Sequence, residues 1–308
     1  MLASASRNNL IGIASLCLGS LVFSMQDMVI KAISGDYAVT LAVSLRAVVS
    51  FPILVAMVAL SGGLAQIATP YWPIMLLRGF TLLCAYTTYF MAFPALPMSE
   101  AIALYLMVPV FVTLMSAPLL GERVTLKSAG AVLIGLLGVF VILRPGFGVF
   151  EPAALLSLTS AAAYAYSMIL ARKHGAGVQA SVMSFYSNIV YLLAPIAFAG
   201  VMYAFQVQPP GHPSVDFLVR PWTIPAPRDM ALMGLCGVIA AFGSVLLSHA
   251  YRVGQAAVVT PFEYTGMIWV SLLAFLLFGE VPEPLTILGM MLIAMAGVLA
   301  LRAGTRAA

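Results

Sequence analysis

Five ionisable residues fall inside otherwise apolar segments of the chain: Asp27, Arg46, Arg78, Glu100 and Glu263. Such a charge costs about 2.5–3.5 kcal/mol on membrane-insertion scales and turns toward a polar interior. Asp27 and Arg46, opposite in sign on consecutive segments, suit a structural ion pair; the alternative is an outer gate or a recognition point for a substrate carboxylate. Glu263, if isolated in a dry cavity, could exchange protons, whereas beside Arg78 it would be held as a structural carboxylate. Glu100 sits where a helix would begin, and an acidic group there favours the helix dipole. Arg78, Tyr86 and Tyr89 follow one another at spacings of eight and three, close to a single helical stripe. Other chemistries lack support. His174, His212 and His249 share no metal-ligand spacing, and the 18 methionines read as adaptable packing. His-Glu-x-x-His, glycine-rich phosphate loops and a Gly-x-Ser-x-Gly elbow are absent from the sequence, which disfavours an enzyme; neither a metal nor a cofactor is expected.

Elements able to hold these charges must sit in an apolar medium. Of 308 residues 63% are hydrophobic and 8% charged, with mean hydropathy +1.08. Soluble domains average about 45–50% apolar and about 25% charged, and a soluble core of this length could not hide so much apolar surface. Lipid is therefore the solvent. The 14 basic residues are scattered, unlike the patch a nucleic-acid partner requires, and read as topology signals. Cys17, Cys84 and Cys236 each lie in an apolar stretch, which suits packing better than a disulfide framework. The run from Leu10 to Ile30 after Arg7 exceeds the core of about 7–15 residues in a signal peptide, so it reads as a retained first helix.

A spanning helix needs about 20 apolar residues. The pattern predicts ten spans, at 10–32, 38–60, 72–93, 98–119, 124–143, 150–171, 181–204, 230–251, 256–278 and 284–302. The one long loop, 205–228, holds six prolines and should not be helical throughout. Counting Lys and Arg near span ends gives eight on the side of the N-terminus (Arg7, Arg123, Lys127, Arg172, Lys173, Arg252, Arg302, Arg306) against four (Lys31, Arg144, Arg220, Arg228). That bias places both termini in the cytoplasm. Gly121-Glu122 followed by Leu143-Arg144-x-Gly146 recurs as Gly279-Glu280 followed by Leu301-Arg302-x-Gly304 with identical internal spacing. Two five-helix units, 1–148 and 149–308, would have opposite orientations because five is odd, and inverted repeats mark secondary transporters.

Leu77-Arg78-Gly79, Leu96-Pro97-Met98-Ser99-Glu100-Ala101-Ile102-Ala103-Leu104, Pro109 and Gly121-Glu122-Arg123 in the first unit resemble the EamA-type ten-helix members of the drug/metabolite transporter superfamily. In the second unit Tyr251-Arg252-Val253-Gly254-Gln255-Ala256-Ala257, Pro261-Phe262-Glu263-Tyr264 and Phe278-Gly279-Glu280 carry the same resemblance. It implies an all-α membrane protein in which helices one, three, four, six, eight and nine line a central cavity, with alternating access and a metabolite cargo. Expected substrate contacts on those helices are Gln26, Arg78, Tyr86, Tyr89, Tyr105, Tyr164, Ser244, His249, Glu263, Tyr264 and Trp269. Tyrosine and tryptophan also crowd membrane interfaces without touching cargo. Pro109 and Pro261 are the hinge candidates. The expected function is export of small amphipathic metabolites, amino acids foremost and bulky or aromatic ones included. The alternative is uptake of a vitamin or nucleoside-like metabolite such as riboflavin or S-adenosylmethionine. Partners are a small-molecule substrate and the lipid of a bacterial inner membrane, with a monomer as the working expectation.

Overall fold

Hydrocarbon offers no partner to a backbone N–H or C=O, so an apolar segment of this kind closes its hydrogen bonds within a helix. The computed structural model describes residues 2–120, 126–143, 151–174, 178–253 and 260–304. The Gly121-Glu122-Arg123 motif, Arg144-Pro145-Gly146, Gly254 to Ala257 and the expected unit boundary at 148/149 lie outside the described residues. The helices are α1 (Leu2–Ile33), α2 (Val39–Gly62), α3 (Trp72–Ala92), α4 (Met98–Tyr105), α5 (Val108–Leu120) and α6 (Leu126–Leu143), followed by α7 (Ala154–His174), α8 (Ala180–Ala204), α9 (Pro213–Val219), α10 (Pro227–Val253), α11 (Thr265–Phe278) and α12 (Pro284–Gly304). Short 3-10 turns occupy Leu64–Ile67 and Thr260–Tyr264, and no strand occurs among the described residues.

Among the described residues, six helices are long and apolar enough to cross a membrane: Leu10–Ile33, Val39–Gly62, Trp72–Ala92, Ala154–Ala171, Ala180–Ala204 and Pro227–Leu247. Four shorter apolar helical stretches among the described residues, Met98–Val112, Val132–Ile142, Phe262–Phe278 and Pro284–Leu299, occupy the remaining expected positions. Outward faces are apolar, as lipid requires: Leu133, Leu137 and Phe140 on α6, and Ile268, Leu276 and Leu277 on α11, are all exposed.

The fourth expected span is not one helix. It stops at Tyr105 and restarts at Val108, because Pro109 has no N–H to offer the carbonyl four residues back, that of Tyr105. Within the described part of the ninth expected span, Pro261 lies in the 3-10 turn Thr260–Tyr264 and the α-helix runs from Thr265. Pro109 therefore stands at a break between two helical pieces, and Pro261 in a 3-10 turn ahead of an α-helix, rather than as kinks inside continuous α-helices.

Packing joins early helices to late ones. α1 lies against α10 and α11, α2 against α8 and α10, α3 against α7 and α8, α4 against α7 and α11, and α6 against α12. Missing side chains permit the closest of these approaches. A Cβ on Gly138 of α6 would stand 2.8 Å from Ile293 Cγ1 and 2.9 Å from the Gly289 carbonyl oxygen of α12. A Cβ on Gly237 of α10 would stand 2.5 Å from the Arg46 carbonyl oxygen of α2.

One end of the bundle is capped. Within the proline-rich segment Pro213–Val219 forms a short helix, α10 begins at Pro227, and Phe217 is fully buried. Arg220 Nη1 donates to the carbonyls of Ser34 (3.2 Å) and Tyr37 (3.3 Å), and Trp222 Nε1 donates to Thr40 Oγ1 (2.9 Å). The Tyr37 hydroxyl donates to Asp229 Oδ2 at 2.8 Å and accepts from the Ala226 N–H at 3.1 Å. At the same end Lys31 Nζ lies 2.7 Å from Glu280 Oε1 and donates to the Leu96 carbonyl at 3.0 Å. Glu280 Oε2 in turn accepts from the Met98 N–H at 2.8 Å. Glu280 thus fastens the turn after α11 to the end of α1 and the start of α4.

Candidate functional site

Beneath the cap, the helices line a cavity of two adjoining lobes that share Phe23, Tyr86, Tyr164 and Leu247 as common wall. The first, of about 110 Å³, is basic: Arg46 and Arg78 line it among serines, Asn188 and Tyr191. The second, of about 100 Å³, is acidic: Asp27 and Glu263 line it with Tyr89 and Tyr105. The acidic lobe reaches Tyr89 and Ile102, within a turn or so of the capped end. The basic lobe extends to Leu54 and Ser184, roughly 20–30 Å from that end at 1.5 Å per residue.

Arg46 is 2% exposed and is held by its faces and its edge. Its guanidinium carbon lies 5.4 Å from the Tyr86 ring centroid and 5.1 Å from that of Tyr191, a cation–π arrangement on two sides. Gln26, buried behind it, accepts from Nη1 at 3.3 Å and donates to the Cys236 carbonyl at 3.2 Å, in the amide orientation that satisfies both atoms. The direct Asp27–Arg46 ion pair expected between the first two helices is not formed. Asp27 accepts instead from the Tyr89 hydroxyl at 3.3 Å, and the tyrosine clamp holds Arg46 on the opposite side of the shared wall. Arg78 does not bridge to Glu263 either. Its Nη1 donates to Ser187 Oγ at 3.3 Å, and its buried Nε has no partner among the described residues.

The tyrosines form two groups bridged by Phe90. Tyr89 packs on Tyr105 at 4.8 Å and Tyr105 on Tyr164 at 5.7 Å, Tyr86 meets Tyr191 edge-on at 6.0 Å, and the Phe90 ring lies 6.1 Å from Tyr86 and 5.9 Å from Tyr89. Of the expected contacts, Arg78, Tyr86, Tyr89, Tyr105, Tyr164, Ser244 and Glu263 line the cavity. Gln26 stands one layer behind. Three others lie elsewhere. His249 is exposed; two residues beyond the lining Leu247, it is turned by about 200° to another face of α10. Tyr264 reaches α12, with its hydroxyl where a side chain on Gly297 would stand. Trp269 lines neither lobe, and its buried indole N–H has no partner among the described residues. Glu100, in the first turn of α4, accepts from Thr286 Oγ1 at 3.4 Å, away from the cavity.

The six lining helices implied by resemblance are too few. α2 contributes Arg46, Ser50 and Leu54, and α8 contributes Ser184, Ser187, Asn188 and Tyr191. Asn188 is tied to α2, accepting from Ser50 Oγ at 2.5 Å and donating to the Ala47 carbonyl at 3.0 Å. A signal was available: Ser184, Ser187, Asn188 and Tyr191 recur at three-, four- and seven-residue spacings, a polar stripe on an apolar helix.

A multi-pass helical bundle with a discontinuous helix beside a charged midsection is the build of a membrane carrier. The comparisons give that class a family. The chain belongs to the EamA-like transporter family, whose model matches it twice, over residues 10–144 and 151–302. It is 28% identical over 291 residues to the pseudopaline exporter CntI of Pseudomonas aeruginosa, covering 92% of this chain and 94% of that one. The S-adenosylmethionine uptake transporter of Rickettsia prowazekii is 22% identical over 70% of this chain and 67% of its own. The riboflavin transporter of Vibrio cholerae is 28% identical over 62% and 58%. A solved crystal structure superposes with a TM-score of 0.63 over 98% of this chain and 99% of that one at 18% identity, a likeness of fold. The protein is a transporter, not an enzyme.

Proposed function

We propose that the protein is a secondary carrier that exports small amphipathic metabolites, amino acids foremost, by alternating access between two inverted five-helix halves. The observation that carries this reading is the cavity itself: charged, tyrosine-lined and capped at one end. Hydroxyl groups and π faces suit an amphipathic cargo with an ammonium group. Two further observations support the inverted halves, 1–148 and 149–308. The family model matches each separately. Exchanging the ten expected spans one-to-six through five-to-ten also maps the packing onto itself: α1 with α10 becomes α7 with α3, and α2 with α10 becomes α8 with α3. The capped end is then the outer face of a bacterial inner membrane, with both termini cytoplasmic, and the basic lobe is the one nearer the cytoplasm.

A second reading, uptake of a vitamin or nucleoside-like metabolite, is favoured by the names of two relatives, the S-adenosylmethionine and riboflavin transporters. Proteoliposomes separate the two. Under imposed proton gradients, labelled amino acids, riboflavin and S-adenosylmethionine are offered one at a time and counterflow is measured. Saturable amino-acid counterflow is the expected result; movement of a vitamin with no amino acid moving overturns the first reading in favour of the second.

A further inference from the structure

The cavity balances its charges but does not mix them. Among the described residues, both guanidiniums line one lobe and both carboxylates the other, with Tyr86 and Tyr164 between. A purely anionic cargo would meet Asp27 and Glu263, and a purely cationic one would meet Arg46 and Arg78. Neither fits, because an uncompensated like charge is repelled in a medium that screens poorly. The two arginines are also unequal. Arg46 is occupied by two rings and Gln26. Arg78 has one bond, to Ser187, and an unpartnered buried Nε aimed at nothing described. A carboxylate meeting the Nε edge of a guanidinium would satisfy that atom, in the fork geometry arginine offers.

Depth then limits what else the cargo carries. Asp27 lies six residues from the capped end of α1, and Arg78 lies fourteen from the capped end of α3. At 1.5 Å per residue their backbones differ in depth by roughly 12 Å. An ammonium on the carbon next to a carboxylate seated at Arg78 would remain in the basic lobe, beside a guanidinium. An ammonium several bonds away would reach past the tyrosine wall to Asp27, whose only described hydrogen bond comes from Tyr89.

We propose that the cavity selects zwitterions whose charges are separated along a chain, with Arg78 receiving the carboxylate and Asp27 the distal ammonium. This rests on the carrier reading and narrows its cargo to amino acids, or amino-acid derivatives, that bear an amine far from the carboxylate.

Two isomers make the test: norleucine and 6-aminohexanoate differ only in where the amine sits. Binding of each to the full-length protein in nanodiscs is measured by ligand-induced thermal shift and by calorimetry. 6-Aminohexanoate should bind at least tenfold tighter than norleucine. Asp27→Asn should weaken 6-aminohexanoate about tenfold while norleucine, whose ammonium stays in the basic lobe, is affected less than twofold. Arg78→Gln should weaken both. Should a variant fail to fold, the comparison of isomers on the unmodified protein still decides. Equal affinities, tighter norleucine, or no binding of either isomer overturns the separated-charge reading. Counterflow of the wider metabolite panel, run in parallel, reports on the carrier reading independently: a protein that moves norleucine and 6-aminohexanoate alike remains a carrier without this selectivity.

Discussion

The bridge between Lys31 and Glu280 gives the most direct test of whether the capped end opens. Glu280→Gln keeps the side chain's length and an oxygen for the Met98 N–H, and removes only the charge facing Lys31. The contact is 2.7 Å long with side chains 17% and 23% exposed. Hydrogen bonds to charged groups contribute about 1.5–3 kcal/mol, and partial exposure reduces that through solvent screening. About 1–2 kcal/mol is therefore the stabilisation lost from the capped state. With about 1.4 kcal/mol per tenfold change in an equilibrium constant, the uncapped fraction should rise roughly five- to thirtyfold. Ile102 lines the acidic lobe just beneath the bridge and serves as a reporter. In a background where Cys17, Cys84 and Cys236 are replaced by alanine, Ile102→Cys is labelled with a membrane-impermeant maleimide applied from the capped side. Labelling should accelerate by that same factor in Glu280→Gln, and in the same direction in Lys31→Met. Rates within twofold of the parent, in a protein that stays monodisperse and thermally unchanged, would refute a latching role.

Three further expectations follow from the packing and the cavity. Gly237→Ala drives a methyl into the Arg46 carbonyl; overpacking of this kind destabilises by about 1–3 kcal/mol, visible as a lowered melting temperature together with weaker substrate binding. A variant as stable as the parent would show that α10 can shift without disturbing Arg46. Tyr86→Phe keeps a ring against the Arg46 guanidinium and should transport within a few-fold of the parent. Tyr86→Leu loses a contact worth about 0.5–2 kcal/mol, and should raise KM in counterflow by about two- to thirtyfold; equal KM values for the two variants would remove the ring's role. Glu263→Gln tests proton coupling: transport should lose its response to an imposed pH gradient, and an unchanged pH dependence would assign Glu263 a structural part only.

Much of this molecule is written in local patterns. Long apolar runs give the helices, Pro109 gives the break after Tyr105 once its missing N–H is followed to the carbonyl it strands, and four of the five buried charges mark the cavity. The polar stripe of α8 is equally legible by periodicity, although the family resemblance gives that helix no lining role. Other features are not local. That Arg46 is clamped by Tyr86 and Tyr191 rather than paired with Asp27 depends on which faces of α2, α3 and α8 meet, and no spacing within one helix states that. His249, Tyr264 and Trp269 sit on helices expected to line the cavity, yet the rotation of each helix about its own axis turns them to other surfaces. The anchoring of the proline-rich segment by Arg220 and Trp222 is likewise a long-range outcome: its composition says where helix cannot persist, not which carbonyls its side chains will find.

The glycine-to-glycine crossing of α6 and α12 bears on how the protein is made. Gly138 and Gly289 stand about 150 residues apart, so the face of α6 that receives α12 is inserted long before its partner exists. At synthesis rates of about 5–20 residues per second, that face waits roughly 8–30 s in the bilayer before its mate emerges. Lipid tails or another nascent chain's small-residue face are the competitors in that interval, and assembly stays reversible until the last helix docks. Mutations at Gly138 would then be felt as lowered yield of mature protein and greater capture by membrane quality-control proteases, even where the few molecules that finish assembly transport normally.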